Sequence, residues 1–257
     1  MSLSYRIKSY LRYRKKTVSK HGVHSPFVFE LVSKVFPDRG HDYSEHIAED
    51  WRTECDLDQS TIDVHDLGTG KSGPRKVFEI AEKSANSPAH GQLLHRILRR
   101  FRPKRMLELG TSLGITSMYQ AKATHFDKFI SLEGCPNTAS IAKKGFDQHK
   151  LDIEIRVGNF DATLKDALNS LEKVDYIFFD GNHREEPTLR YFETCLPYVH
   201  NDTLFIFDDI HWSKEMDDAW EKIKQHPKVR LTIDIYHFGL VFFRSEQKEK
   251  EHFVLRF

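Results

Sequence analysis

The residues best suited to chemistry stand at the ends of apolar runs. Lys128–Leu132 ends in Glu133, and Val174–Phe179 ends in Asp180-Gly181-Asn182-His183. Thr203–Phe207 ends in Asp208-Asp209-Ile210-His211-Trp212. A fourth run, Arg105–Leu109, carries Glu108 and passes into Gly110-Thr111-Ser112-Leu113-Gly114, after which Ile115–Ala123 reads as a helix. A strand that turns sharply into a helix leaves backbone N–H groups aimed at whatever sits above the turn. In an open parallel α/β sheet the strand ends also form the ligand crevice. The turn is therefore expected to seat a cofactor.

The chemistry of that cofactor can be narrowed. A pyrophosphate-binding turn follows G-x-G-x-x-G, whose middle glycine lets the backbone approach the phosphates. Ser112 stands at that position and the next glycine is Gly114. A cofactor without phosphates does not need the missing glycine, and S-adenosylmethionine is one. Its ammonium needs an acid, for which Glu108 is placed just before the turn. Its carboxylate needs donors, which the N–H groups of Gly110, Thr111, Ser112 and Gly114 and the Thr116 hydroxyl would supply. Glu133 closes the second strand about 20 residues past the turn, the position from which an acid holds both hydroxyls of a ribose.

Stepping from residues to the elements that carry them, Pro103 breaks a helix over Gly91–Arg100 and the first strand follows. Asn137–Gln148 reads as a helix and Asp152–Val157 as a third strand. Lys214–Gln225 reads as another helix, and Val229–Tyr236 with Gly239–Phe243 as an antiparallel hairpin. His252–Phe257 alternates weakly, as an added edge strand or a dimer contact would. Over roughly Ser87–Arg244 the chain resembles the class I S-adenosylmethionine-dependent methyltransferases. More narrowly, it is similar to the cation-dependent O-methyltransferases of the catechol and caffeoyl-coenzyme A type, including their Gly-Gln-Leu-Leu run, here Gly91–Leu94. The expected fold is α/β, a doubly wound Rossmann-like and mostly parallel seven-stranded sheet with an antiparallel hairpin at its edge, plus an N-terminal helical extension. The expected division is 1–74 as extension and possible lid, and 75–257 as the S-adenosylmethionine-binding domain.

The resemblance implies further roles. The loop Gly158-Asn159-Phe160-Asp161 would border the adenine, with Asn159 at the base edge and Phe160 stacked or simply in the core. Asp180, Asp208 and Asp209 should open onto the same crevice, where three like charges repel unless neutralised. An all-oxygen set suits Mg²⁺, which could hold two oxygens of a hydroxylated acceptor and lower the pKa of one. The family places metal ligands at these strand ends, and the three aspartates match position by position. Its usual base is a Lys three residues past the first Asp; here that residue is His183, which can take a proton near neutral pH. A reading without metal stays open: Asp180 at the cofactor, Asp208 capping the next helix, Asp209 on a basic residue. His211 and Trp212 are read either as walls of the acceptor pocket or as loop packing.

Composition sets bounds. The 257 residues are 39% hydrophobic and 30% charged, with a net charge of +1. That balance gives no global case for nucleic acid or membrane, and no apolar run is long enough to span a bilayer. Cys55, Cys135 and Cys195 form no C-x-x-C pair, and a cytoplasmic location is the default. Leu3, Ile7, Tyr10 and Leu11 fall at helical spacing in a basic stretch, Ser4–Lys20. Its bland reading is a helix packed on its own domain or on a second subunit; its functional reading is a contact with RNA or an anionic membrane. His21 and His24 precede a helix over Phe27–Val35, with Ser25 as cap and Pro26 in the first position. Arg39–Ser60 is polar and punctuated, helix with irregular connections. Asp66–Gly73 imitates a phosphate loop, but His65 stands where its first glycine belongs; it is expected to be a flexible loop over cofactor or substrate.

Taken together, the chain is expected to be an enzyme methylating a small hydroxylated molecule from S-adenosylmethionine, with Mg²⁺ and possible homodimerisation. Two alternatives are carried: a methyltransferase acting on RNA (tRNA) through the basic helix, and a non-catalytic module that binds S-adenosylmethionine.

Overall fold

The structure, a computed structural model, describes residues 3–38, 46–67 and 72–256. In chain order it runs through helices α1 (Leu3–Lys16), α2 (Pro26–Glu30, continued by a π-helical turn, Leu31–Val35) and α3 (His46–Leu57), then strands β1 (Thr61–Val64) and β2 (Gly73–Lys76). Helices α4 (Val77–Ser84) and α5 (Pro88–Phe101) lead into β3 (Arg105–Leu109), α6 (Ile115–Ala123), β4 (Lys128–Glu133), α7 (Pro136–Gln148), β5 (Ile153–Val157) and α8 (Phe160–Leu171). The last part comprises β6 (Val174–Phe179), α9 (Glu185–Cys195), β7 (Val199–Asp208), α10 (Lys214–Gln225), β8 (Leu231–Asp234), β9 (Phe238–Phe242) and β10 (Glu251–Val254). Strands β3 to β10 belong to one mixed, mostly helix-flanked sheet of eight strands, one more than expected, because β10 adds an edge strand. The chain divides into two compact units, 1–37 with 173–257 and 38–172.

In the unit spanning 38–172, β3, β4 and β5 lie side by side in parallel. The apolar residues of β3 and β4 are buried on both faces, as covered parallel strands require, whereas the edge strand β5 leaves Val157 exposed. Ser87 caps α5 by accepting the His90 N–H, and Pro88 takes the first turn, where a missing N–H costs nothing. Gly91 lets α5 approach α6: a Cβ there would stand 2.4 Å from the Tyr119 ring. The segment Asp66–Gly73 connects the strands of an antiparallel hairpin, β1 with β2, pairing Thr61 with Lys76 and Val64 with Gly73. The hairpin rests beside α7, where the Asn137 amide donates to the Asp63 carbonyl at 2.7 Å. Gly68–Lys71, the centre of the phosphate-loop imitation, lie outside the described residues.

In the other unit, β6 and β7 are parallel, β7, β9 and β8 follow antiparallel, and β10 joins β8 in parallel. The core is rich in phenylalanine: Phe179 stacks on Phe207 with centroids 4.2 Å apart, and Phe192 and Phe205 pack against them. Each such ring contributes about 1.5–3 kcal/mol by leaving water. Helix α1 belongs to this unit, and the chain after it bridges Val18 to Leu255 beside β10. Ser25 takes the expected cap position of α2, yet its side chain makes no capping bond. No helix among the described residues is long and apolar enough to cross a membrane.

Candidate active site

The turn between β3 and α6 has the shape its glycines dictate. Gly110, Ser112 and Gly114 all have positive φ (109°, 49° and 79°). Gly114 is required twice, since a Cβ would also stand 2.6 Å from the Phe146 ring. As the cap of α6 it has no side chain to satisfy the first-turn N–H groups, which leaves an anion-accepting helix end. The turn is tied to β4: Gly110 and Thr111 both donate their N–H to the Leu132 carbonyl, at 2.9 and 3.2 Å. From behind, the Trp51 indole donates to the Leu113 carbonyl at 2.8 Å.

Glu133 meets this turn directly. One oxygen accepts the Ser112 N–H at 2.7 Å and the other accepts the Cys135 N–H at 2.8 Å. Burial pushes its pKa up, and these N–H bonds act against that rise. The Thr138 hydroxyl and the Gly134 N–H act on the carboxylate in the same direction. The next loop is held close as well, because the Gly158 N–H donates to the Glu133 carbonyl at 2.8 Å.

Glu108 corrects the expectation. It was assigned to the ammonium of the cofactor, but it has no exposed surface. Its carboxylate accepts from the Ser117 and Ser131 hydroxyls and the Gln120 amide, each at 2.5 Å. Burial pushes its pKa up to about 7, against the effect of those donors. Its place is inside the β3–β4–α6 layer, bracing the turn rather than meeting a ligand. Thr111 is likewise turned inward, its hydroxyl 2.5 Å from that of Ser131, and Thr116 is buried. Asn159 does not offer its side-chain oxygen to a base edge: that oxygen caps α8 by accepting the Asp161 N–H at 2.9 Å. Phe160 is half-buried as the first residue of α8.

The other unit holds the expected chemical centre. His183 follows the end of β6, with its Nε2 3.5 Å from Asp180 Oδ1. Burial lowers its pKa below the usual 6.5, and the Asp209 charge opposes that shift, so the ring is neutral and able to accept a proton at neutral pH. Asp208 is buried and accepts the N–H of Asp209 at 2.9 Å. Asn182 and Asp209 both sit in the left-handed region, at φ 56° and 52°. This is a sparsely populated conformation that clusters at functional sites.

The expected Mg²⁺ ligands Asp180, Asp208 and Asp209 stand at the ends of β6 and β7. Among the described residues no group of three or more His, Cys, Asp and Glu side chains is arranged to hold a metal ion. Asp208 turns an oxygen back to the next residue's backbone, and Asp180 faces His183. His211, read as a possible pocket wall, is instead clamped between two carboxylates: Nδ1 is 2.5 Å from Asp217 and Nε2 2.8 Å from Asp234. Burial alone would lower its pKa, but those two bonds outweigh it and raise it to about 9. Tyr236 stacks on its ring at 5.4 Å. Tyr5 and Arg12 of α1 reach the same Asp217. Trp212 is partly exposed beneath the Arg6 guanidinium, 4.9 Å from its ring centre.

Residues 107–210 match a family described as a methyltransferase domain. A catechol O-methyltransferase of Niastella koreensis is 29% identical over 128 residues, 48% of this chain. The chain thus spans little more than half, 57%, of that curated relative. Among solved structures, an O-methyltransferase from Bacillus cereus aligns with a TM-score of 0.57 at 19% identity, covering 89% of this chain and 98% of that one. The Podospora anserina methyltransferase PaMTH1 aligns with a TM-score of 0.60 at 16% identity, covering 87% and 98%. Glycine turn, terminal acid, α/β layers and these likenesses agree with the resemblance read from the sequence, and residues 107–210 match the methyltransferase-domain model.

Proposed function

We propose that the protein transfers a methyl group from S-adenosylmethionine to an oxygen of a small hydroxylated acceptor. The observation that carries this is Glu133, which ends β4 and is held onto the Ser112 N–H of the glycine turn and the Cys135 N–H. That arrangement suits a vicinal diol, while the glycine-capped start of α6 suits the cofactor carboxylate. The B. cereus neighbour is described in complex with S-adenosylhomocysteine and the curated relative as a catechol enzyme, which supports both the cofactor and a hydroxylated acceptor.

When bound, the cofactor supplies an electrophilic methyl on sulfonium, transferred as the S–C bond breaks and the O–C bond forms. The protein's share is to hold the reactants in line and to accept the acceptor's hydroxyl proton. His183 is the group for that proton, being neutral near pH 7. Asp180 beside it orients the imidazole and favours the imidazolium that forms. No step is routed through a metal.

Calorimetry with S-adenosylmethionine and S-adenosylhomocysteine tests the cofactor half. Wild type should bind both, and Glu133→Ala should weaken binding on the order of a hundredfold, the cost of two charge-assisted hydrogen bonds. No heat and no thermal shift for wild type would refute the reading. A methyl-transfer screen over phenols and catechols tests the other half: His183→Ala should lose turnover while keeping cofactor affinity.

A further inference from the structure

Methyl transfer leaves one face of α1 unexplained. The inner face is pinned to its own unit: the Tyr13 hydroxyl donates to the Leu255 carbonyl, Arg12 reaches Asp217 at 2.9 Å, and the Tyr10 and Tyr13 rings meet Tyr236 at 5.1 and 5.2 Å. The opposite face carries Ile7 and Leu11, one turn apart and 53% and 54% exposed. At helical spacing around them stand Lys8, Arg14 and Lys15. The whole helix has six cations and no acid, against a net charge of +1 for the entire chain.

We propose that the outer face of α1 docks onto an anionic lipid surface. Ile7 and Leu11 enter the headgroup boundary, and Lys8, Arg14 and Lys15 meet the lipid charges. A helix that combines aliphatic and basic residues in this way lies in the plane of a membrane interface. Charge complementarity selects the occupant. An RNA backbone would engage the cations but would leave two aliphatic side chains in water, with nothing gained from them. A second copy docking through the same face would set three like charges against three. The helix is already held by Tyr13 and Arg12 before any contact, so little ordering is left to oppose binding.

Vesicle co-sedimentation of the full chain tests this, comparing phosphatidylcholine alone with phosphatidylcholine carrying about a third phosphatidylglycerol. Binding to the anionic vesicles only, weakening as salt rises, is expected. Ile7→Ser with Leu11→Ser changes exposed residues and should keep the wild-type thermal midpoint while lowering partition about tenfold. Lys8→Gln with Lys15→Gln should lower it about fivefold per cation. Equal binding to both vesicle types, or to neither, overturns the proposal. So does a double serine variant that partitions as wild type does. A mixed tRNA probe that binds both proteins alike while vesicles do not would assign the face to nucleic acid. A concentration-dependent dimer that only the serine variant loses would assign it to a second copy.

Discussion

Two buried carboxylate systems, one in each unit, are stabilised by opposite means. Glu108 is surrounded by neutral donors, two serine hydroxyls and a glutamine amide, and its pKa rises to about 7. Asp217 and Asp234 instead share the cationic ring of His211; Asp217, set against its own burial, falls below the usual range, and the ring rises to about 9. Neutral donors offset only part of the cost of burying a charge, whereas a counter-charge offsets more of it. The first system therefore takes up a proton as pH falls below about 7, and the second holds an ion pair. The first braces the turn between β3 and α6; the second fastens α1 and the loop after β7 to the same unit.

The contrast can be broken most severely at His211. His211→Ala strands two partly buried carboxylates and should cost about 3 kcal/mol or more, read as a fall in urea midpoint. Glu108→Gln keeps the shape but presents an amide to another amide donor, and should cost about 1–2 kcal/mol. The pH dependence separates the two systems further. Between its usual 4.5 and about 7, folded Glu108 keeps a proton that the unfolded chain has lost, so its share of stability drains away as pH rises across that window. His211 contributes fully below its usual 6.5 and loses its contribution as pH climbs through about 9. Thermal midpoints measured against pH should therefore decline in two stages; Glu108→Gln should flatten the lower and His211→Gln the upper. The smallest effect is expected at the proposed base. Asp209 raises the His183 pKa, so Asp209→Asn should move the acid limb of the rate profile to lower pH without changing its plateau.

Much of this was legible in residue order. β3, α6 and α10 fall where their apolar spacing puts them, because a buried strand and a helix each have their own period. Glu133 was readable because a strand-terminal acid has one natural direction to face. Glu108 was misread because an acid inside a strand can point to the ligand or to the layer behind. Its register partner is Ser131, and Ser117 and Gln120 lie three apart on α6; three polar residues in otherwise apolar elements were the signal. The β1–β2 hairpin was hidden by the glycines between its short, charged strands. Helices α8 and α9 were left unassigned, although Leu164, Ala167, Leu168 and Leu171 repeat at helical spacing. His211 could not be placed, since Asp234 lies 23 residues away across a helix and a strand.

The tryptophan behind the turn has a consequence for genetics. Trp51 comes from a helix more than fifty residues upstream of Leu113, and its ring also fills the space left bare by Gly145, where an added Cβ would sit 2.5 Å away. A lesion at Trp51 or Gly145 would thus loosen the loop from its rear. An assay would score it as poor cofactor affinity, although neither side chain need ever touch the cofactor.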